Sequence, residues 1–141
     1  MDIKKKKVIR FIVIIGVFVL VAFTFISNIS VNSDNIKGSG IFSFKIDLDQ
    51  IKSLEIIEDE INVGMKIFGA GLGNTLKGIF DVEYYGKTTL YINKKSLDYY
   101  IFIKTEENKV YMLNESTKEE TKELYNKIYD EVIDLESYKS N

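Results

Sequence analysis

Residues 79–93, IFDVEYYGKTTLYIN, contain the pattern that decides the fold. Apolar and polar side chains alternate along residues 80–84, a Gly-Lys pair stands at 86–87, and alternation resumes in residues 88–93. Two alternating runs joined by a short connection that contains glycine predict a β-hairpin. The side chains expected to face the core are Phe80, Val82, Tyr84, Leu90 and Ile92.

Further alternating segments lie on both sides of this hairpin. They are FSFKID at 42–47, SLEII at 53–57, INVGMKIF at 61–68, YYIFIK at 99–104 and VYML at 110–113. The last two form a second predicted hairpin around the polar loop Thr105–Lys109. In INVGMKIF, the inward side chains are expected to be Ile61, Val63, Met65 and Ile67. This pattern predicts about seven half-buried, antiparallel strands between residues 41 and 114.

The apolar period changes at the end of the chain. Either Ser116 with Glu119 or Thr117 with Glu120 provides a capping box, which marks the start of a helix. The helical stripe that follows consists of Leu124, Ile128, Val132 and Leu135, with charged residues on the opposite face. We therefore expect one C-terminal amphipathic helix packed on the open end or face of the β unit.

A long apolar run lies near the N-terminus. Residues 11–26, FIVIIGVFVLVAFTFI, carry no charge, and extension to Ile29 gives nineteen residues. As a helix this segment is about 28 Å long, against a hydrocarbon core of ~30 Å. Lysines at 4–7 precede it, so the positive-inside rule predicts a cytoplasmic N-terminus and an extracytoplasmic C-terminal domain.

The resulting organisation has four parts. It consists of a cytoplasmic basic tail at 1–10, a transmembrane anchor at 11–29, a polar spacer at 30–40 and a folded domain at 41–141. This arrangement predicts a single-pass protein of the cell membrane whose bilayer contact is the anchor. A cleavable signal peptide is the alternative, although the run is long and no Ala-x-Ala site follows it.

Charge and composition exclude several functions. Residues 1–29 hold five basic residues and one acid, and the remaining 112 residues hold 14 lysines and 20 acids, which gives the net charge of −2. A mildly acidic domain argues against nucleic-acid binding, since that requires basic surface. The chain has no cysteine and no histidine, so it lacks disulfides, thiolate chemistry and the commonest general base. We expect no cofactor.

Several segments resemble a known family. They are IKSLEIIED at 51–59, GAGLGNTLKGIF at 69–80, YYGKTTLYI at 84–92, YYIFIKT at 99–105, YMLN at 111–114 and TKEETKELYNKI at 117–128. In these the chain resembles the bacterial pleckstrin-homology-like (PH-like) domain family, in particular its small membrane-anchored members. The resemblance implies a mainly β fold, with a seven-stranded antiparallel barrel or sandwich capped by the C-terminal α-helix. The N-terminal transmembrane helix is added to that fold.

The resemblance also bears on function. It specifies the fold more than an activity. Our leading functional prediction is a non-catalytic binding or interaction module of the cell envelope, with a protein partner in a membrane assembly and an unknown ligand. Phosphoinositide binding is not implied, because LDQIK at 48–52 is short and nearly neutral and the chain has no tryptophan.

Two groups of residues could carry other chemistry. The glycine-rich GAGLGNTLKG at 69–78 could cradle an anion with Lys77, but its spacing matches neither a dinucleotide-binding loop nor a P-loop, which favours a tight turn. Asp47, Asp49 and the acids at 58–60 could bind a hard cation, but they do not follow the EF-hand pattern and are typical of solvated strand ends. No catalytic, cofactor-binding or metal-binding residues are therefore expected.

Lysines provide the one candidate binding surface. Lys66, Lys77, Lys87, Lys94 and Lys95 outnumber the two acids between residues 64 and 97, whereas residues 115–136 hold eight acids and three lysines. These five lysines suggest an alternative function as a sensor of anionic lipid or envelope polymer. An envelope enzyme is a third alternative, and two merely solvated faces are a fourth. Exposed tyrosines such as Tyr85 and Tyr91 could anchor a partner or form ordinary cross-strand pairs.

Overall fold

The computed structural model describes residues 2–25, 28–93 and 98–140. Within these residues it contains two α-helices, nine β-strands and a short 3-10 helix at Leu48–Gln50. The helices are α1 (Ile3–Phe25) and α2 (Lys118–Lys139). The strands are β1 (Ile29–Val31), β2 (Asn35–Gly38), β3 (Phe44–Asp47), β4 (Ile51–Ile57), β5 (Val63–Leu72), β6 (Thr75–Val82), β7 (Gly86–Ile92), β8 (Tyr100–Thr105) and β9 (Val110–Asn114).

The strands form two sheets. A three-stranded sheet has the order β1-β2-β3, and a six-stranded sheet has the order β4-β8-β9-β7-β6-β5. The two predicted hairpins, β6–β7 and β8–β9, are confirmed. Strands β7 and β9 pair in parallel, with Thr88 opposite Val110, so the prediction of antiparallel neighbours throughout is wrong for this pair. Alternation of apolar and polar residues reveals that a segment is a strand. It does not reveal which strand lies next to it.

Seven strands, β3 to β9, overlap the segments in which the sequence predicts them, although β5 and β6 extend into the predicted turn at 69–78. Two more strands lie in the predicted spacer. Val31 of β1 pairs with Ile36 of β2, and both side chains are buried. Asn32 closes the turn between them, because its Oδ1 accepts hydrogen bonds from the backbone N–H groups of Asp34 and Asn35, both at 2.9 Å. The spacer at 30–40 and the seven-stranded domain at 41–141 are therefore corrected to a nine-stranded domain that includes residues 29–38.

Helix α1 unites the basic tail and the apolar run. It begins at Ile3 and ends at Phe25, whereas Ile29 belongs to β1. The predicted span of 11–29 is therefore too long at its C-terminal end, and residues 26 and 27 of that span lie outside the described residues. Across the described part of the chain, no helix combines the length and the apolar character that a membrane crossing requires.

The six-stranded sheet has a core on each face. On one face, Tyr91, Ile103 and Leu113 pack with side chains of the three-stranded sheet and of α2. On the other face, residues such as Leu90 and Met112 form a second cluster that Ile57, Ile61 and Val63 partly cover. Strand β7 is consequently buried on both faces, with adjacent residues in different cores.

Helix α2 follows its predicted pattern. Thr117 and Glu120 form the capping box, through a 3.1 Å hydrogen bond in each direction. Leu124 and Ile128 are buried, and Val132 and Leu135 pack partly buried against the same core. The predicted stripe is therefore confirmed.

One residue of the β6–β7 hairpin does not point inward as predicted. Tyr84 lies in the connection between the strands at a φ of 68°, and 93 % of it is exposed. Phe80, Val82, Leu90 and Ile92 are buried as predicted. The hairpin turn starts at residue 83, so the alternation that ends at Tyr84 belongs partly to a turn.

Candidate interaction surfaces

The structure separates the five lysines of the predicted anionic-surface site. Lys66 on β5 and Lys87 on β7 are exposed and lie on either side of β6. Lys77 is buried, with 1 % of it exposed. Lys94 and Lys95 lie outside the described residues. Of the predicted set, only Lys66 and Lys87 are therefore seen at the surface in the described part of the chain.

Two acids share this region with the exposed lysines. Asp81 is the register partner of Lys87 on the neighbouring strand, and it is exposed. Glu83 is also exposed and accepts a 2.6 Å hydrogen bond from the Asn62 side chain. Across the described residues of β5 to β7, two exposed lysines thus meet two exposed acids. The predicted excess of positive charge also includes Lys94 and Lys95, so it stays a prediction.

Lys77 points into the molecule. Its Nζ lies 3.4 Å from the ring centroid of Tyr91 and donates a 2.7 Å hydrogen bond to Asn93 Oδ1. Burial lowers the pKa of Lys77 from 10.5 to about 8, while the negative charge of Glu115 acts to raise it. Because its ammonium group is enclosed, the assignment of Lys77 to an external binding surface is wrong. Alternation in the sequence assigns Lys77 to the face of β6 opposite the predicted core residues. It does not reveal that other parts of the chain cover that face as well.

Asn93 connects Lys77 to the start of α2. Its side-chain Nδ2 donates to the Asn114 carbonyl at 3.0 Å and to Glu115 Oε2 at 3.1 Å. The Glu115 backbone N–H donates to Thr121 Oγ1 at 3.0 Å, which links this group to the first turns of the helix. Burial raises the pKa of Glu115, Glu120 adds to that effect, and Lys77 and Asn93 oppose it. We call Lys77, Tyr91, Asn93, Asn114 and Glu115 the inner polar cluster.

The inner polar cluster is better suited to structure than to chemistry. A lysine with a pKa near 8 is partly neutral at physiological pH and could act as a nucleophile. The Lys77 amine, however, is enclosed by the Tyr91 ring and Asn93, and the Tyr91 hydroxyl is itself held by a 2.6 Å hydrogen bond to the Ser39 carbonyl. A substrate would have to displace core side chains to reach it. The cluster therefore ties β6, β7, β9 and α2 together.

The glycine-rich segment is a hairpin rather than an anion cradle. Strand β5 continues to Leu72, Gly73 and Asn74 form the turn, and β6 begins at Thr75. Gly69 pairs with Gly78. A Cβ atom added to Gly78 would lie 2.3 Å from the Phe68 carbonyl oxygen. Gly78 also has a φ of 125°, which side-chain-bearing residues rarely adopt. These glycines allow two strands to approach closely. The predicted tight turn is confined to Gly73 and Asn74, and the rest of the segment belongs to the two strands.

The acidic residues do not assemble a metal centre in the described part of the chain. Among those residues, there is no group of three or more His, Cys, Asp or Glu side chains that could hold an ion. Asp47 instead forms an exposed ion pair with Lys45 at 3.0 Å. Glu60 lies at a cavity of about 230 Å³ that is otherwise lined mainly by apolar side chains and Tyr100. Burial, and then the charges of Asp98 and Glu60, raise the pKa of Tyr100.

The two tyrosines considered as anchors have different environments. Tyr91 is buried with 1 % exposed, so the suggestion that it could anchor a partner is wrong. Tyr85 is partly exposed and its ring lies 5.4 Å from that of Phe102. Both positions fit ordinary packing within the sheet.

A different surface carries exposed apolar side chains. Met65, Ile67 and Phe68 on the edge strand β5 are exposed by 74 %, 50 % and 65 %, and Ile41 is exposed by 59 %. The Phe68 ring also meets the Phe42 ring edge to face, with centroids 5.6 Å apart. We call these five residues the apolar edge patch. Exposed apolar residues grouped in this way are typical of an interaction site.

This patch is not among the predicted sites, and Met65 and Ile67 were predicted to lie in the core. That prediction is wrong, because the pairing of β5 with β6 shifts register between Val63 and Lys66 and again between Lys66 and Phe68. Each shift changes which residues face the core. A signal was present in the sequence, since Ile67 and Phe68 are adjacent and cannot both point to one face of a regular strand.

Helix α1 exposes apolar side chains in all directions. Twelve large apolar residues between Val8 and Val21 are exposed, among them Phe11, Phe18 and Leu20 at 66 %, 75 % and 66 %. A helix without a polar face is stable only in apolar surroundings.

Comparison with known proteins identifies a family. A family model described as Bacterial PH domain matches residues 27–128. No curated protein and no solved structure matches the chain. The matched region begins two residues before β1 and ends within α2, so it agrees with a domain that includes residues 29–38.

Proposed function

The chain belongs to the bacterial PH domain family, and we propose that it is a non-catalytic binding module that α1 holds at the cell membrane. The observation that carries this proposal is the apolar surface of α1, where twelve large side chains are exposed. Transfer of these side chains out of water would be favourable by on the order of 20 kcal/mol. No exposed patch of this size is expected to remain in contact with water.

The proposed topology is single-pass, with the N-terminus in the cytoplasm and the PH-like domain outside. Four lysines at residues 4–7 and Arg10 precede the apolar part of α1. Basic residues at one end of an apolar helix are retained on the cytoplasmic side. The proposed anchor therefore lies in the apolar part of α1, within residues 11–25.

A protein partner in a membrane assembly is the proposed ligand class. Support for binding rather than catalysis comes from the lack of cysteine and histidine in the sequence and from the enclosure of Lys77, the one described lysine with a lowered pKa. Binding of an anionic lipid or polymer stays an alternative prediction, which among the described residues involves Lys66 and Lys87. In that case Lys66→Gln with Lys87→Gln should weaken binding to anionic vesicles, at about 1 kcal/mol per lysine near the surface.

Membrane fractionation tests the anchor. The full chain should stay with the membrane pellet after alkaline carbonate extraction. Val13→Lys combined with Val17→Lys should release it, because each lysine near the centre of a membrane helix costs about 3 kcal/mol. Val13→Leu with Val17→Leu is the matched control and should remain in the pellet. Release of the wild-type chain, or retention of the double lysine variant, would contradict the anchor.

Thiol labelling tests the topology, since the chain has no cysteine of its own. Glu107→Cys, in the exposed β8–β9 loop, should react with a membrane-impermeant maleimide in intact cells. Asp2→Cys should react only after the membrane is permeabilised. The reverse pattern would overturn the proposed orientation.

A further inference from the structure

We propose that the apolar edge patch, Ile41, Phe42, Met65, Ile67 and Phe68, inserts into the interfacial region of the same bilayer that holds α1. This contact rests on the proposed membrane anchor and goes beyond it, since it fixes which side of the domain faces the lipid. The patch is separate from the anchor in sequence and belongs to the folded domain.

The patch is held close to the anchor by the chain that connects them. Phe25, the last described residue of α1, precedes Asn28 by three residues, which span at most about 11 Å. Asn28 is fixed to the domain, because its carbonyl accepts a 3.0 Å hydrogen bond from the Ser39 N–H and its own N–H donates to Ser39 Oγ at 3.0 Å. The end of the domain that holds Ser39 is therefore kept close to the end of the helix.

The contact between Phe42 and Phe68 within the patch lies at this same end. Phe42 follows Ser39 by three residues, again at most about 11 Å along the chain, and its ring contacts that of Phe68. The opposite end of the three-stranded sheet carries Asp47 and the turn at 32–34. If α1 is in the bilayer, the apolar edge patch is thus near the membrane, and the acidic end of β3 points away from it.

The side chains of the patch also suit the membrane interface. The patch combines aliphatic and aromatic side chains with Lys66, which is exposed between Met65 and Ile67. Apolar side chains beside a lysine suit the interface, where the apolar groups reach the acyl chains and the ammonium group stays among the headgroups. If the patch faced water instead, the same apolar side chains would stay hydrated.

A second copy of the chain fits this edge less well. Pairing of two β5 edges would require a regular ladder of unpaired backbone groups. Strand β5 instead shifts register twice, at Val63/Lys66 and at Lys66/Phe68, and it places a lysine between those shifts. Bulges and lysines on an edge strand oppose strand addition. The observations therefore favour lipid over a second copy.

Quenching by spin-labelled lipid tests the contact in the full chain, reconstituted in phosphatidylcholine–phosphatidylglycerol vesicles. The absence of native cysteine allows one environment-sensitive dye to be placed at Phe68→Cys. Glu107→Cys is the matched control, because the loop that contains it is joined to the opposite end of the domain by the 2.9 Å hydrogen bond from Glu106 N to the Gln50 carbonyl. Val17→Cys reports on the anchor.

We expect headgroup-region quencher to reduce emission at Phe68→Cys, deep quencher to reduce it at Val17→Cys, and neither to affect Glu107→Cys. Quenching at Val17→Cys with a Phe68→Cys signal equal to that of Glu107→Cys would overturn the patch contact and leave the anchor intact. A blue-shifted but unquenched dye at Phe68→Cys would also overturn it, in favour of a protein contact. Quenching at Phe68→Cys alone would refute the anchor and keep the patch contact.

Discussion

Replacement of Lys77 with methionine should remove most of the change in domain stability between about pH 7 and pH 9.5. The Lys77 ammonium group is enclosed between the Tyr91 ring and Asn93, with 1 % of the residue exposed. Burial lowers its pKa from 10.5 to about 8, against the opposing effect of Glu115. Methionine has a similar length and no charge, so the variant keeps the packing and loses the titration.

The magnitude follows from the two pKa values. The unfolded chain keeps the Lys77 proton up to about pH 10.5, whereas the folded domain releases it near pH 8. Between these values the unfolded state binds more protons, so the free energy of unfolding rises with pH. The gain from pH 7 to pH 9.5 is about 2 kcal/mol. Burial also raises the pKa values of Tyr100 and Tyr111. Above about pH 10 the unfolded chain therefore loses its tyrosine protons before the folded domain does, and only there does this effect oppose the gain in stability from Lys77.

Urea denaturation of the full chain in mild detergent, followed by the near-ultraviolet circular dichroism of the tyrosines, measures this change. Wild type should become more stable as the pH rises from 7 to 9.5, and Lys77→Met should show a nearly flat profile. Lys66→Met is the matched control, because Lys66 is exposed on the neighbouring strand. The reasoning is refuted if Lys77→Met keeps the wild-type rise, or if Lys66→Met loses it.

Three further predictions concern the core and the domain boundary. Ile128→Ala should lower the free energy of unfolding by about 2–4 kcal/mol in urea titrations, whereas Lys127→Ala on the exposed face of α2 should change it by less than about 0.5 kcal/mol. Gly78→Ala should cost at least about 2 kcal/mol in the same assay, because its Cβ would collide with backbone at a φ of 125°; a wild-type midpoint would refute the close approach. A chain that begins at Asn28 should unfold cooperatively in calorimetry, and one that begins at Ser39 should not, since it lacks β1 and β2; equal melting of the two would restore the spacer interpretation.

Local elements of the fold are predictable because neighbouring residues specify them. The β6–β7 hairpin depends on alternation and on Gly86, which has a φ of 69° in the turn. The capping box of α2 depends on Thr117 and Glu120, three residues apart. Each of these signals is complete within a few residues of sequence.

The candidate surfaces are less predictable because exposure depends on distant parts of the chain. Lys77 and Phe68 lie on adjacent strands but differ in exposure. Lys77 is enclosed in the core, whereas Phe68 is 65 % exposed. The adjacent Ile67 and Phe68 break the period of β5, but a period by itself shows which residues share a face and not which face is covered. The basic surface predicted from the sequence was therefore wrong at Lys77, and the apolar edge patch was missed.

The short strands β1 and β2 show a similar dependence. Asn32, Asp34 and Gly38 give this segment the composition of a linker. Its burial arises from pairing with β3, where Ile36 lies opposite Ile46 and both side chains enter the core. Strand β1 has only three residues, and β2 is buried at three of its four positions, so neither displays a clear period of two.

Four features can be read from the sequence alone: the apolar run of α1, the positions of strands β3 to β9, the amphipathic helix α2 and the similarity to PH-like domains. Four others depend on the folded chain: the parallel pairing of β7 with β9, the entry of β1 and β2 into the core, the burial of Lys77 and the exposure of Phe68. The reason is the range of the interactions involved. Periodicity and capping act between near neighbours, whereas the bond from the Tyr91 hydroxyl to the Ser39 carbonyl, which helps to close the space around Lys77, joins residues 52 positions apart.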